Sequence, residues 1–263
     1  MKNINQGEAE VLLNECPNSV DSVCELANAE SQAWREKNSQ LILERFLEKY
    51  SDELNDVEKA KVYTNLAFYY NDEGNIKEYE YLSAAVKLNS PYLETYRGLA
   101  LYHFSSYADK GSVEELERSL LIYEKGRSIS DNYEMNFGRA VCLFELKEYE
   151  KAKTIFLQLL ENYPNRMRLL LCIAYCDVYL GNKIQSLDYL KKIKIGGDPA
   201  YQRDDEIWEF DIFNAYYVLE EYKLFLEECE KAKSSCVFCG LGLGYTQELY
   251  AKKYPKSSLI IIE

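Results

Sequence analysis

The stretch from Ala60 to Leu93, AKVYTNLAFYYNDEGNIKEYEYLSAAVKLNSPYL, decides the fold. Tyr63, Leu66, Ala67 and Tyr70 fall on one face of a helix, and Tyr79, Leu82, Ala85 and Val86 on one face of a second. Asp72-Glu73-Gly74-Asn75 reads as the turn between them, and Pro91 marks a helix boundary just beyond. Leu66, Ala67, Gly74, Tyr79 and Val86 share their spacing with Ile173, Ala174, Gly181, Ser186 and Ile193. Between these sets, Ala140, Tyr149, Ala152, Phe156, Leu159 and Pro164 carry the rhythm again. A period of about 34 residues predicts stacked helical hairpins rather than one closed core. The expected fold class is all-α, an α-solenoid of helical hairpins. Five prolines and 12 glycines in 263 residues agree with long helices.

The order of residue types in this stretch (bulky, Leu, small, aromatic, Gly, aromatic, small, Pro) resembles the tetratricopeptide repeat. Working outward, residues 1–55 read as an N-terminal helical cap or degenerate repeat. Two helices are expected over residues 19–50, the first capped by Ser19 or Asp21, the second with an apolar stripe at Leu41, Ile42, Phe46 and Leu47. Residues 56–235 carry the repeats. The second repeat opens at Tyr96-Arg97-Gly98-Leu99-Ala100 and holds about seven extra residues, expected as an enlarged turn at Ser105–Gly111. The third, Tyr133–Asn165, has Arg139 where Leu belongs. The fourth spans Met167–Gly197, and the fifth, Glu206–Ser235, keeps Tyr216, Tyr222, Phe225 and Ala232. Gly196-Gly197-Asp198-Pro199 reads as a break between them.

The resemblance implies that the first helix of each pair lines a concave face, with the fifth, ninth and twelfth places pointing into it. Those places hold Thr64, Phe68 and Asn71; Arg97, Leu101 and Phe104; Phe137, Val141 and Phe144; and Leu171, Tyr175 and Val178. The set is mostly apolar, which predicts a groove for a helical or extended peptide of a protein partner. Family members that clamp a C-terminal carboxylate carry Lys, Arg and Asn there. Arg97, Asn71 and Arg168 alone make a poor clamp.

Net charge is −13, and an acidic surface repels nucleic-acid phosphate, so no nucleic-acid partner is expected. No apolar run reaches the roughly 20 residues of a membrane span, and residues 1–16 lack the apolar stretch of a secretory leader. Eight cysteines then read as reduced thiols in a cytoplasmic protein, with Cys142, Cys172 and Cys176 as small core residues. His103 is the only histidine. It sits on a repeat helix, so a packing role is expected there, and Glu114, Glu115 and Glu117 read as a solvated face. No metal site is expected, because Cys236 and Cys239 lack a second ligand pair at suitable spacing.

After Ser235 the pattern changes. Residues 236–263 parse as a short apolar strand, the glycine-rich turn Gly240-Leu-Gly242-Leu-Gly244, a helix and a second strand ending at Glu263. This is an incomplete Rossmann-like β-α-β unit, in which Gly240, Gly242, Gly244 and Glu263 would meet a nucleotide or nucleotide-sugar if the domain were complete. Phe238 stands where S-adenosylmethionine-dependent methyltransferases carry an acid. The string FCGLGLGY with KYP and IIIE resembles the start of the motility-associated-factor glycosyltransferases. That resemblance implies the non-catalytic arm of a truncated enzyme, with no catalytic residue in this chain. Three functions therefore stand at this level: a peptide-binding interaction module, such an arm, or a repeat-type regulator or immunity protein with an acidic surface.

Overall fold

A computed structural model describes residues 19–70, 75–205, 207–231, 236–239 and 259–262. Its contacts divide the chain into unit 1, up to Leu146, and unit 2, from Lys147. Unit 1 holds α1 (Val20–Gln32), α2 (Glu36–Tyr50), α3 (Asp56–Tyr69), α4 (Ile76–Lys87), α5 (Leu93–Lys110), α6 (Val113–Ile129) and α7 (Tyr133–Glu145). Unit 2 holds α8 (Tyr149–Asn162), α9 (Met167–Tyr179), α10 (Lys183–Leu190), α11 (Glu209–Val218) and α12 (Tyr222–Lys231), then β1 (Cys236–Cys239) and β2 (Leu259–Ile262). The fold is an all-α solenoid of hairpins, with two short strands after the last helix.

Local chemistry starts the helices where the pattern requires. Ser19 accepts from the Ser22 N–H at 3.3 Å and caps α1. Asn55 and Glu58 form a reciprocal capping box at α3. Six helices end alike: a residue in the left-handed region closes the turn, at Trp34, Asn89, Gly111, Lys147, Gly181 and Glu220. At Trp34, Asn89, Gly181 and Glu220 the next N–H reaches back to the fifth preceding carbonyl. Glycine tolerates that backbone freely, whereas Trp34, Lys147 and Glu220 do so at a cost.

A recurring serine fixes how the two helices of a pair meet. Ser39 Oγ donates to the Ala27 carbonyl at 2.7 Å, and Ser186 Oγ to that of Ala174 at 2.9 Å. Ser119 Oγ donates to Ala100 at 2.8 Å. The separations are 12, 12 and 19 residues, so the third differs by the seven inserted ones. The insertion is not an enlarged turn. α5 runs unbroken to Lys110, ends on Gly111 and pairs with a long α6, so both helices are lengthened. Seven residues are about two helical turns, one for each antiparallel helix, which leaves the phase of the pair unchanged. The Ser39–Ala27 bond gives the N-terminal α1–α2 pair the same geometry as the later repeats.

Packing corrects one further reading and accounts for another. In α2 the buried stripe is Leu43 and Phe46, and Leu41 faces solvent. Arg139 on α7 keeps its charge half-buried by pairing with Glu124 on α6. In unit 1, Leu43, Phe46, Val62 and Leu66 form one core cluster, and Tyr96, Leu116, Tyr123 and Met135 another. Gly138 lies so close to the Tyr123 ring that a Cβ there would overlap it.

In unit 2, Met167, Leu170, Leu171, Leu190, Ile212, Tyr216 and Phe225 share one core. The Gly196–Pro199 break is a clasp rather than a loose loop. Asp205, fully buried, accepts from the N–H groups of Met167 and Arg168 at 2.8 Å and of Asp198 at 3.0 Å. It thus caps α9, whose own preceding residue, Arg166, supplies no side-chain cap. Tyr201 donates to the Pro164 carbonyl at 2.7 Å and carries the Arg166 guanidinium over its ring. β1 and β2 pair in parallel, Cys236 opposite Leu259 and Cys239 opposite Ile262. Gly240, Gly242, Gly244 and Glu263 lie outside the described residues, as do Asn71, Gly74 and Ala232.

Candidate functional site

In unit 1, α1, α3, α5 and α7 each touch the next helix of their own layer, and the even helices pack behind them. Polar links run across this odd layer: Lys61 of α3 to Asp21 of α1, the Thr64 and Thr95 hydroxyls at 2.7 Å, and Arg97 of α5 to Glu134 of α7 at 3.6 Å. Thr95 also meets Ser90 at 2.7 Å, which closes a hydroxyl chain between α3 and α5. The odd-helix face turned away from the even helices is the candidate binding face.

Helical periodicity assigns its lining. On α3 the stripe is Val57, Lys61, Thr64 and Phe68; on α5 it is Glu94, Arg97, Leu101 and Phe104; on α7 it is Glu134, Phe137, Val141 and Phe144. Phe68 is 64% exposed and Leu101 42% exposed, while Phe104, Phe137, Val141 and Phe144 are half-buried. Phe104 leans on Tyr107, and Phe137 stacks on Tyr133. Sequence reasoning missed Val57, 47% exposed, and the acids Glu94 and Glu134 at the start of the same stripes. The signal was available, since Val57 precedes Phe68 by eleven residues, three helical turns.

The corresponding positions of unit 2 have a different environment. Leu171 is 6% exposed and belongs to the core formed with Ile212 and Tyr216 of α11. Tyr175 donates to the Asp211 carbonyl at 2.9 Å and accepts from Asn214 Nδ2 at 2.9 Å. Burial pushes its phenol up. Val178 packs half-buried on the same cluster. The structure therefore does not bring Leu171, Tyr175 and Val178 together as an open surface; the next repeat covers them.

Other polar clusters tie elements together. Glu44 Oε1 accepts from Tyr70 at 2.8 Å, Lys77 at 2.9 Å and Tyr81 at 3.2 Å, joining α2, α3 and α4. Burial alone would raise the Glu44 pKa, but these donors hold it below its ordinary value. His103 is buried against Tyr79 and Tyr102, with Nδ1 2.7 Å from Glu115. Glu115 is thus bound into the fold, and the His103 hydrogen bond lowers its pKa. Burial pushes the thiols of Cys24, Cys172 and Cys176 up to about 12 and that of Cys142 to about 11, away from thiolate chemistry. Among the described residues no group of His, Cys, Asp or Glu could hold a metal, and no helix is long and apolar enough to cross a membrane.

Comparison with known proteins agrees with this architecture. A tetratricopeptide-repeat family model matches residues 135–166. YrrB, described as a tetratricopeptide-repeat protein with an unusual peptide-binding site, superposes with a TM-score of 0.57 at 14% identity, over 84% of this chain and 97% of its own. A tetratricopeptide-repeat protein from Parabacteroides merdae gives 0.55 at 12% identity over 93% and 89%. PilW, a type IV pilus biogenesis factor, gives 0.54 at 14% over 91% and 95%. No curated protein matches the chain. The likeness to glycosyltransferases in the tail has no counterpart in these comparisons. The matched segment carries a tetratricopeptide repeat, and the solved structures share the α-solenoid fold of this chain.

Proposed function

We propose that this chain is an interaction module whose odd-helix face in unit 1 holds a helical or extended segment of a partner protein, in the cytoplasm. One observation carries the reading: Phe68 and Leu101 stand exposed on neighbouring helices of a single layer, above the half-buried rings of Phe104, Phe137 and Phe144. Exposed apolar side chains grouped in this way mark binding surfaces. The peptide site named for YrrB belongs to that protein; the shared fold supports the same use here.

The test is a displayed random-peptide selection against the full chain, with affinities then measured for the selected peptides. Phe68→Ala with Leu101→Ala should weaken them about tenfold or more, about 1.4 kcal/mol, with helical circular dichroism unchanged. Selected peptides that bind the double variant as tightly as the parent refute the reading.

A second reading rests on β1 and β2, which pair in parallel on either side of the glycine-rich segment, as a nucleotide-binding β-α-β requires. In that reading the repeats are an arm presenting an acceptor to a glycosyltransferase, and Gly240, Gly242, Gly244 and Glu263 meet a nucleotide-sugar. Calorimetric titration of the full chain with nucleotide-sugars, without heat in any case, rejects a site formed by this chain itself.

A further inference from the structure

We infer that the open face of unit 1 fits a basic amphipathic helix of another protein, with apolar anchors set into Phe68 and Leu101 and lysine or arginine at its flanks; this rests on the peptide-binding reading above. Two properties of the face specify that occupant. The first is spacing. Packed helices lie about 8–10 Å apart, and seven residues of an α-helix rise about 10.5 Å. A helix crossing the odd layer therefore meets α3 and α5 with side chains i and i+7, and the intervening i+3 or i+4 fills the space between Phe68 and Leu101.

The second is charge. The outward stripes of α1, α3, α5 and α7 carry exposed Asp21, Glu94 and Glu134 and half-buried Glu25, against half-buried Lys61 and exposed Arg97. Both cations are already neutralised within the face, Lys61 by Asp21 and Arg97 by Glu134. Glu25 and Glu94 have no ion-pair partner among the described residues, on a chain of net charge −13. The first-turn dipole of α5 accounts in part for an acid at Glu94, but Glu25 lies in the second turn of α1, where that effect has faded. An acidic segment would meet uncompensated carboxylates and no available cation. A lysine flanking the anchor on Leu101, on the side of the bound helix turned toward the start of α5, extends toward Glu94, two turns earlier on the same stripe.

Three synthetic peptides of about 18 residues, about five helical turns, test this by fluorescence anisotropy on the full chain at physiological salt. One has leucine at i, i+3/i+4 and i+7 with lysine elsewhere. One has the same leucines with glutamate. One is a scramble of the leucine–lysine peptide. The amphipathic lysine peptide should bind at least about tenfold tighter than the other two. Phe68→Ala with Leu101→Ala should remove about tenfold of that affinity, and Glu25→Lys with Glu94→Lys about threefold to tenfold.

If the glutamate peptide binds as well, or if charge reversal changes nothing while the apolar variant still loses binding, the basic-helix inference falls and the peptide site stands. If the scramble binds equally, the affinity is unspecific and the inference falls. If no peptide responds to the apolar variant, the peptide site falls with it. Self-association in sedimentation that the apolar variant abolishes would assign the face to a second copy and overturn the proposal.

Discussion

Phe68 and Leu101 in unit 1 and Tyr175 in unit 2 occupy the ninth place on the first helices of their hairpins, with Leu171 one turn earlier at the fifth, yet Phe68 and Leu101 are open while Leu171 and Tyr175 are closed. The difference lies in the neighbouring helix of the same layer. In unit 2, α11 sets Ile212 and Tyr216 beside Leu171 and fastens Tyr175 through Asp211 and Asn214, while Asp205 and Tyr201 clasp the start of α9. In unit 1 successive odd helices meet through small or paired polar groups, Thr64 with Thr95 and Arg97 with Glu134, and leave the larger side chains uncovered. A repeat position thus specifies a direction, and the neighbouring repeat decides whether that direction ends in core or in solvent.

The clasp gives the strongest way to break the comparison. Asp205→Ala orphans three N–H groups at the start of α9 and beside it, at roughly 1–3 kcal/mol for a buried unsatisfied group. A total loss of about 3–5 kcal/mol is expected in urea denaturation, with faster hydrogen exchange in α9. A loss under about 1 kcal/mol would show that the clasp does not secure the closed face.

Substitution on the corresponding faces of the two units comes next. Leu171→Ala should cost about 2–4 kcal/mol, as core leucines do. Leu101→Ala should cost under about 1 kcal/mol, because its side chain keeps much of its exposure in the fold. Equal losses would contradict the open and closed assignment. Within unit 1, Gly138→Ala forces a methyl against the Tyr123 ring and should cost about 2–3 kcal/mol. A neutral outcome would mean that α6 and α7 separate more easily than their packing implies.

The N-terminal hairpin sharpens the picture through pH. Glu30 is buried and accepts from Arg35 at 2.7 Å through both oxygens and from Asn38 at 2.7 Å, and the Arg35 bond above all holds its pKa down to about 2. A depressed folded pKa contributes stability that is present above the unfolded value, near 4.5, and is lost as pH falls toward 2. Glu30→Gln should cost about 2 kcal/mol at pH 7 and should flatten the fall between pH 4.5 and 2. An unchanged acid limb in thermal melts would remove Glu30 from that role. The smallest effect has the opposite sign. Trp34, 92% exposed, ends α1 with a φ of 61°, so Trp34→Gly should stabilise by about 0.5–1 kcal/mol in the same melts.

The amino-acid sequence alone determined the hairpin period, the helix start at Ser19, the small positions where paired helices approach, and the stripe from which Phe68, Leu101 and Phe104 could be read. These are local consequences of a 3.6-residue turn and of backbone groups that need caps, so a window of one repeat contains them. The tertiary structure decided the rest. The inserted residues lengthened α5 and α6, because two added turns keep an antiparallel pair in phase. Leu43 displaced Leu41 as the inward residue of α2. Gly196–Pro199, read as a break, became part of a clasp through Asp205, some 38 residues from the helix it caps. Burial is a property of neighbours, and the neighbours that close unit 2 and leave unit 1 open lie a full repeat away, beyond the reach of any local pattern.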